Sequence, residues 1–234
     1  MKKLIPVMLL VFIVMLSGCS RNTGGKQSET GAGNQTGNSG NAGGSASVGS
    51  STGNTSKLFS SRDFEVGYDE NASAVILLEG DTITSNSNAA TVSGRTVTIT
   101  DEGTYILSGN LNDGMIIVNA DKTDKIQLVF NNVSIHSETS APVYILNADK
   151  VFITLARDSS NTLSNGGTFN ALDGNNIDGV IFSKEDLTLN GSGTLTIYSP
   201  AGHGIVSKDE LRLTSGIFRI TAASHGIEGK DNIC

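Results

Sequence analysis

Two copies of one short sequence near the end of the chain decide how it folds. Residues 203–211 read HGIVSKDEL, residues 225–233 read HGIEGKDNI, and a longer copy, DGVIFSKEDL, occupies residues 178–187. Apolar residues between the copies alternate with polar ones, as do Leu195 and Ile197, which is the period of a β-strand rather than of a helix. One such repeat cannot bury its apolar face alone, so successive copies are predicted to stack.

This pattern predicts an all-β fold, a parallel β-helix (a solenoid) of about five or six coils. Earlier β-rich runs, from Val97 onward, would supply the first coils, and the segment that contains the strand Val75–Leu78 would cap them. The sequence stops at Cys234, in the first residues of a new strand, so the solenoid is predicted to be incomplete at its C-terminus.

The first part of the chain has the pattern of an export leader. In residues 1–18, Lys2 and Lys3 precede an apolar run that is too short for a comfortable membrane span. The run closes with Leu-Ser-Gly-Cys19, which resembles a bacterial lipobox and predicts lipidation of Cys19; an ordinary signal peptide with an incidental cysteine is the alternative. Residues 19–57, rich in Gly, Ser and Asn, predict a flexible tether, and residues 58–234 the folded domain. We therefore expect the protein at the outer face of the cell membrane, attached through its lipid anchor only.

The charge of the chain narrows the class of partner. Its net charge is −7, and loss of Lys2 and Lys3 with the leader would make it −9. An acidic exported chain is not expected to bind nucleic acid or to carry a basic membrane-binding patch. Its carboxylates instead suit calcium, the usual hard cation outside cells.

The loop DGNNIDG at residues 173–179 is a candidate calcium site. Asp173, Asn175, Asn176 and Asp178 offer side-chain oxygens at close spacing, with glycines at the bends. The loop lacks the terminal Glu of an EF-hand, and an ordinary Asn/Gly turn would have the same composition. Both interpretations remain open.

Stacked copies would place equivalent residues in columns about 4.8 Å apart. One column would hold Lys184, Lys208 and Lys230, and an acidic column beside it Glu185, Asp209 and Asp231. The two columns can neutralise each other. Alternatively, the lysines meet the carboxylates of an acidic polysaccharide, while Asp209 and Asp231 help to hold calcium.

A third column would contain Asp178, His203 and His225. The two histidines would lie close enough to share a transition metal, but the sequence shows no evident third ligand. Otherwise they are turn residues with little chemistry of their own.

Several motifs together resemble a known family. They are the lipobox, the tether, GTYILSG at residues 103–109, NADKV at 147–151, FSKEDLTLNGSG at 182–193 and HGIVSKD at 203–209. From about residue 64 onward they resemble the bacterial carbohydrate-binding-domain lipoproteins of clostridia and their relatives. The resemblance implies a right-handed parallel β-helix similar to pectate lyases, calcium sites, and binding of plant polysaccharides such as cellulose and polygalacturonate. Relatives tend to carry Asp where this chain has His203 and His225, whereas Asp178 keeps the family residue.

We favour calcium-assisted, non-catalytic binding of a polysaccharide by a monomeric protein. The chain has no Trp, and its four tyrosines fall within strand patterns where burial is expected, so a charged glycan such as polygalacturonate is favoured over crystalline cellulose. A calcium-dependent polysaccharide lyase is the second hypothesis, although none of Arg157, Arg212 and Arg219 stands in a pattern that marks a catalytic base. A structural or adhesive surface protein is the third.

Overall fold

The computed structural model describes residues 58–234, so the predicted leader, Cys19 and tether lie outside the described residues. Within this range a short 3-10 helix, Ser61–Phe64, precedes seventeen strands. The strands are β1 (Ala74–Gly80), β2 (Thr82–Ser85), β3 (Ala90–Ser93), β4 (Thr96–Ile99), β5 (Gly103–Leu111), β6 (Met115–Asn119), β7 (Lys125–Ser137), β8 (Val143–Asn147), β9 (Lys150–Leu155), β10 (Ser160–Asn165), β11 (Gly179–Ser183), β12 (Asp186–Gly191), β13 (Thr194–Ser199), β14 (His203–Ser207), β15 (Leu211–Leu213), β16 (Ile217–Ala222) and β17 (Ile227–Gly229). No helix in the described part of the chain is long and apolar enough to cross a membrane.

The strands form two sheets. The first has ten strands, with β15-β12-β9-β7-β10-β13-β16 in order and with β5, β1 and β2 branching from β7. The second has seven strands in the order β17-β14-β11-β8-β6-β4-β3. The all-β prediction is therefore correct.

The prediction of a right-handed parallel β-helix, a solenoid of stacked coils, is wrong. Both sheets are mixed, because β1 pairs with β2 and β3 with β4 in antiparallel register. The connections explain the difference: Asp81 alone separates β1 from β2, and only Gly94 and Arg95 separate β3 from β4. A link that short makes a hairpin, whereas a parallel pair needs a long crossover.

The three sequence copies nevertheless pair side by side in parallel. Ile181 lies opposite Ile205, which lies opposite Ile227, so β11, β14 and β17 are neighbours in the second sheet. The predicted column of Asp178, His203 and His225 is wrong at its first member, since Gly179 is the register partner of His203. The copy at residues 178–187 has one more residue before its lysine than the other two copies, and this extra residue moves Asp178 out of register with His203.

Two apolar layers surround the second sheet at these strands. Ile181 and Ile205 point into the main core between the sheets. Tyr144, Phe182 and Val206 form a smaller apolar cluster with Ile177, a residue of the segment that joins β10 to β11. Because that segment covers the strands, β11 is buried on both faces and reads as a continuous apolar run.

The 3-10 helix covers part of the first sheet and brings a buried charge with it. Asp63 is fully buried, and its carboxylate lies 2.7 Å from the ammonium group of Lys150 and accepts a 2.6 Å hydrogen bond from Thr188. Burial alone would raise the pKa of Asp63, but the hydrogen bonds from Lys150, Thr188 and Ser60 outweigh it and lower the pKa to about 2. This segment, Ser60–Glu65, is called the docking segment below.

Candidate functional site

The predicted lysine column is present at one edge of the second sheet. Lys184, Lys208 and Lys230 follow directly after β11, β14 and β17. The backbone N–H of Lys208 donates to the carbonyl of Ser183 at 2.8 Å, and that of Lys230 donates to Ser207 at 3.0 Å. These bonds hold the three residues on adjacent strands, with Lys184 and Lys208 half-buried and Lys230 exposed.

The ammonium group of Lys208 contacts two carboxylates and an aromatic ring. Its Nζ lies 3.6 Å from Glu228 Oε1, 3.9 Å from Asp178 Oδ1 and 5.3 Å from the centre of the Phe182 ring. The cation is thus placed over an aromatic face and between two carboxylates, which fixes the direction of the side chain.

The acidic column does not neutralise the lysine column. Glu185 pairs with Lys122. Asp209 and Asp231 lie close enough to influence each other, since burial, followed by the charges of Asp186 and Asp231, raises the pKa of Asp209. Across residues 58–234, no ion pair joins Lys184, Lys208 or Lys230 to any of these acids.

The first half of the candidate calcium loop is held by a tyrosine. The Tyr144 hydroxyl donates to Asp173 Oδ2 at 2.8 Å and accepts a 3.0 Å hydrogen bond from the Asn175 amide. Desolvation would raise the pKa of Asp173, but hydrogen bonds from the Asn175 backbone, Tyr144 and the Asn175 amide, together with the charge of Lys184, lower it. Burial, the hydrogen bond to Asp173 and the negative charge of Asp173 raise the pKa of the Tyr144 phenol. Asp173 is therefore a carboxylate at neutral pH.

The second half of the loop contains an unsatisfied oxygen. The Asn176 amide donates to Asp178 Oδ2 at 3.3 Å, whereas Asp178 Oδ1 is buried and has no hydrogen-bond partner, since the Lys208 ammonium group, 3.9 Å away, is too distant for a hydrogen bond. A buried carboxylate oxygen without a donor is costly, so a cation or a donor from a ligand fits there. Of the predicted metal ligands, the structure pairs Asp173 with Asn175 and Asn176 with Asp178. In the described part of the chain, no hydrogen bond connects Asp209 or Asp231 to them.

His203, His225 and Glu228 form a group whose potential metal-ligating atoms all lie within 4.8 Å of one another. The two histidine rings stack with centres 5.1 Å apart, and Glu228 Oε2 lies 3.3 Å from Nδ1 of both His203 and His225. Glu228 follows His225 by three positions, and it lies opposite Val206, the third residue after His203 on the neighbouring strand.

A family model for carbohydrate-binding domain-containing proteins matches residues 93–234, which include strands β4 to β17 and every residue described above from Asp173 onward. The chain belongs to this family.

The chain is also similar to a curated protein and to a solved structure. A protein of that description from Acetivibrio thermocellus is 35% identical over 152 residues, which are 64% of this chain and 53% of the relative. A solved structure, a polysaccharide lyase-like protein from C. thermocellum in a gadolinium derivative, has 35% identity and a TM-score of 0.60. That match covers 62% of this chain and 60% of the other. The chain thus spans little more than half the length of the proteins it matches.

In this member of the carbohydrate-binding domain family, sequence reasoning missed two residues. In the copy at residues 225–233, Glu228 occupies the position that Val206 has in the copy at residues 203–211. A carboxylate in place of an apolar residue within a repeat was a signal that could have identified Glu228. Tyr198 was expected to be buried, but 53% of it is exposed. Tyr198 lies on the solvent-facing side of β13, opposite to the side on which Leu195 and Ile197 are buried. The alternation of residues along the strand would have indicated this.

Proposed function

We propose that this protein binds an acidic polysaccharide of the polygalacturonate type at the cell surface, with the assistance of calcium and without cleaving it. Membership of the carbohydrate-binding domain family supports the class of ligand. The single observation that carries the choice of an acidic glycan is the column of three lysines on adjacent strands. A polyuronate presents one carboxylate per sugar, so a linear row of cations suits it better than it suits a neutral chain.

The residues that support a role for calcium lie beside this column. Asp178 Oδ1 is buried without a hydrogen-bond donor, the other oxygen of that carboxylate accepts from the Asn176 amide, and the carboxylate of Asp173 stays ionised at neutral pH. Oxygen ligands of this kind suit hard cations.

Cleavage is the second candidate, because the solved relative is described as polysaccharide lyase-like. A lyase needs a base beside the uronate. Arg212 is engaged by Glu210 and Asp186 beside the buried Asp63, and Arg219 lies on β16 of the other sheet. These placements favour binding over catalysis. Unsaturated product from polygalacturonate, detected by its near-ultraviolet absorbance, would show the opposite.

The surface location rests on the lipobox that ends at Cys19, with the lipid anchor as the only membrane attachment. A tether of residues 19–57 would then present a single, monomeric domain to glycans outside the cell. The structural or adhesive alternative predicts that neither polygalacturonate nor cellulose binds.

The lysine column is tested by reversing its charges. We expect Lys230→Glu, and likewise Lys208→Glu, to weaken polygalacturonate binding roughly tenfold in calorimetric titration with calcium. One lost attraction and one new repulsion of about 0.7 kcal/mol each correspond to that factor at an exposed site. Binding to cellulose should change much less, and chelation of calcium should weaken only the binding of polygalacturonate.

Arg219→Glu is the matched control, since it reverses one exposed cation on the other sheet. Lys230 is the sharper test, because its ammonium group forms no ion pair within residues 58–234 and its replacement leaves Glu228 and Asp178 paired with Lys208. Equal losses for both glycans, or an equal effect of Arg219→Glu, would refute the proposed role of the column.

A further inference from the structure

His203, His225 and Glu228 bring three metal-ligating atoms together at the surface of the second sheet. Nδ1 of His203 lies 3.2 Å from Nδ1 of His225, and each lies 3.3 Å from Glu228 Oε2. The three atoms therefore form a nearly equilateral triangle. This group is called the histidine cluster below.

The size of the triangle matches a tetrahedral metal. Zinc binds imidazole nitrogen and carboxylate oxygen at about 2.0–2.2 Å, which keeps tetrahedral ligands about 3.3–3.5 Å apart. The distances of 3.2 Å and 3.3 Å in the cluster need almost no adjustment to reach that separation. Two histidines and one glutamate are also a common set of three protein ligands that leaves a fourth position open.

The surrounding chain holds the three ligands in place. The backbone N–H of His203 donates to the backbone carbonyl of Asp178 at 2.7 Å, and the N–H of Gly204 donates to the carbonyl of His225 at 3.0 Å. Lys208 Nζ lies 3.6 Å from Glu228 Oε1, so the other oxygen of that carboxylate turns toward the histidines. Contacts of this kind, one shell outside the ligands, set their orientation and the affinity for the metal.

The lone pairs of the cluster are available to a cation. Nδ1 of His203 accepts a long hydrogen bond of 3.3 Å from the backbone N–H of His225. Each Nδ1 carries either a proton or a lone pair, and the carboxylate oxygen only accepts, so the three contacts within the cluster cannot all be hydrogen bonds at once, whereas one cation at their centre binds all three atoms. The His203 side chain is 13% exposed and that of His225 is 69% exposed, so the open position faces solvent.

We propose that His203, His225 and Glu228 form a binding site for a divalent transition metal of the zinc type, separate from any calcium site. Imidazole nitrogen suits zinc, cobalt and copper and is a poor partner for calcium, which takes oxygen ligands. The fourth position is open to water or to a carboxylate of an approaching ligand. The site follows from the doubled His-Gly of the repeat and does not depend on the proposed glycan binding.

Cobalt and zinc titrations of the full chain test the site. Cys19 and Cys234 are replaced by Ser so that no thiol competes for the metal. We expect one equivalent of Co²⁺ to give the visible absorption of a tetrahedral complex and Zn²⁺ to displace it, while a large excess of Ca²⁺ does not. His225→Ala, at the most exposed ligand, and Glu228→Gln should each weaken zinc binding by more than tenfold.

His136→Ala is the matched control. His136 lies 3.1 Å from Glu138 on the other sheet and forms a single histidine–carboxylate pair without a second histidine. This variant should bind zinc as tightly as its parent. Absence of saturable cobalt binding, or zinc affinity that is unchanged in both His225→Ala and Glu228→Gln, would overturn the proposal. Far-ultraviolet circular dichroism of each variant distinguishes a lost site from a lost fold.

Discussion

Replacing Asp63 by Asn should destabilise the protein strongly at neutral pH and by about 2 kcal/mol less in acid. Asp63 is the buried acid of the docking segment, and it packs against Lys150, whose side chain is 10% exposed. Asn has nearly the same shape, but it leaves the ammonium group of Lys150 without its counter-ion. Breaking a buried pair from one side costs about 3–5 kcal/mol.

The pH-dependent part of this loss follows from the pKa of Asp63. Its pKa falls from an ordinary 3.8 to about 2 in the folded protein. A difference of nearly two units corresponds to about 2.5 kcal/mol of stability. Because the folded pKa is the lower one, this contribution is complete well above pH 4 and is lost as the pH falls through 2. About half of it should remain near pH 3.

Urea unfolding of the parent and of Asp63→Asn at pH 7, 4, 3 and 2 measures this difference directly. The gap in the free energy of unfolding should be largest at pH 7 and should narrow by about 2 kcal/mol at pH 2. Asp149→Asn, which removes the partner of the exposed Lys125, should cost at most about 1 kcal/mol at any of these pH values. A gap for Asp63→Asn that is below about 1 kcal/mol at pH 7, or that stays constant with pH, would refute the reasoning.

Two further predictions concern the backbone and the loop. Gly109→Ala should cost about 2–4 kcal/mol in thermal or urea unfolding, because Gly109 has φ +98° and an added Cβ would lie 2.2 Å from the carbonyl oxygen of Leu78. Gly94→Ala, also at positive φ but with open space around it, should cost only about 1–2 kcal/mol, and equal costs would contradict the steric argument. Tyr144→Phe should raise the pKa of Asp173 toward its ordinary value in a carboxyl NMR titration and cost about 0.5–1.5 kcal/mol, whereas an unchanged pKa would show that the phenol does not hold the loop.

The sequence predicted the parts of the fold that depend on repetition. The copies were predicted to stack, and the structure pairs Ile181, Ile205 and Ile227 side by side, because a shift by one residue would turn each to the other face of the sheet. The lysine column follows from the same register.

Features without a repeat were not predictable in this way. The hairpins at Asp81 and Gly94 depend on short turns within a segment that has no second copy to compare. The bend of β7, where Asn132 adopts φ +60° between the part paired with β9 and the part paired with β10, depends on tertiary packing. A parallel solenoid extrapolated from the last third of the chain therefore failed for the hairpins of residues 74–99.

The candidate sites show the same division. The pattern identified His203 and His225, but Glu228 differs from its counterpart in the other copy and was passed over. Asp63 was also missed, since a lone acid in an irregular segment has no sequence signal that distinguishes a buried position from a surface one. Its partner Thr188 is 125 positions away.

That separation has a consequence for the order in which the chain assembles. The docking segment leaves the ribosome long before β12 and β15 exist, yet Asp63 and Glu65 bond to side chains of β12, and Arg212 of β15 lies 4.0 Å from Asp63. Contacts between residues so far apart in sequence form only after the entropy of closing a long loop has been overcome. The docking segment is therefore synthesised early but is among the last segments to acquire its native contacts, and until then Lys150 remains hydrated. Completion of the sheet, rather than local propensity, is what makes the docking segment fold.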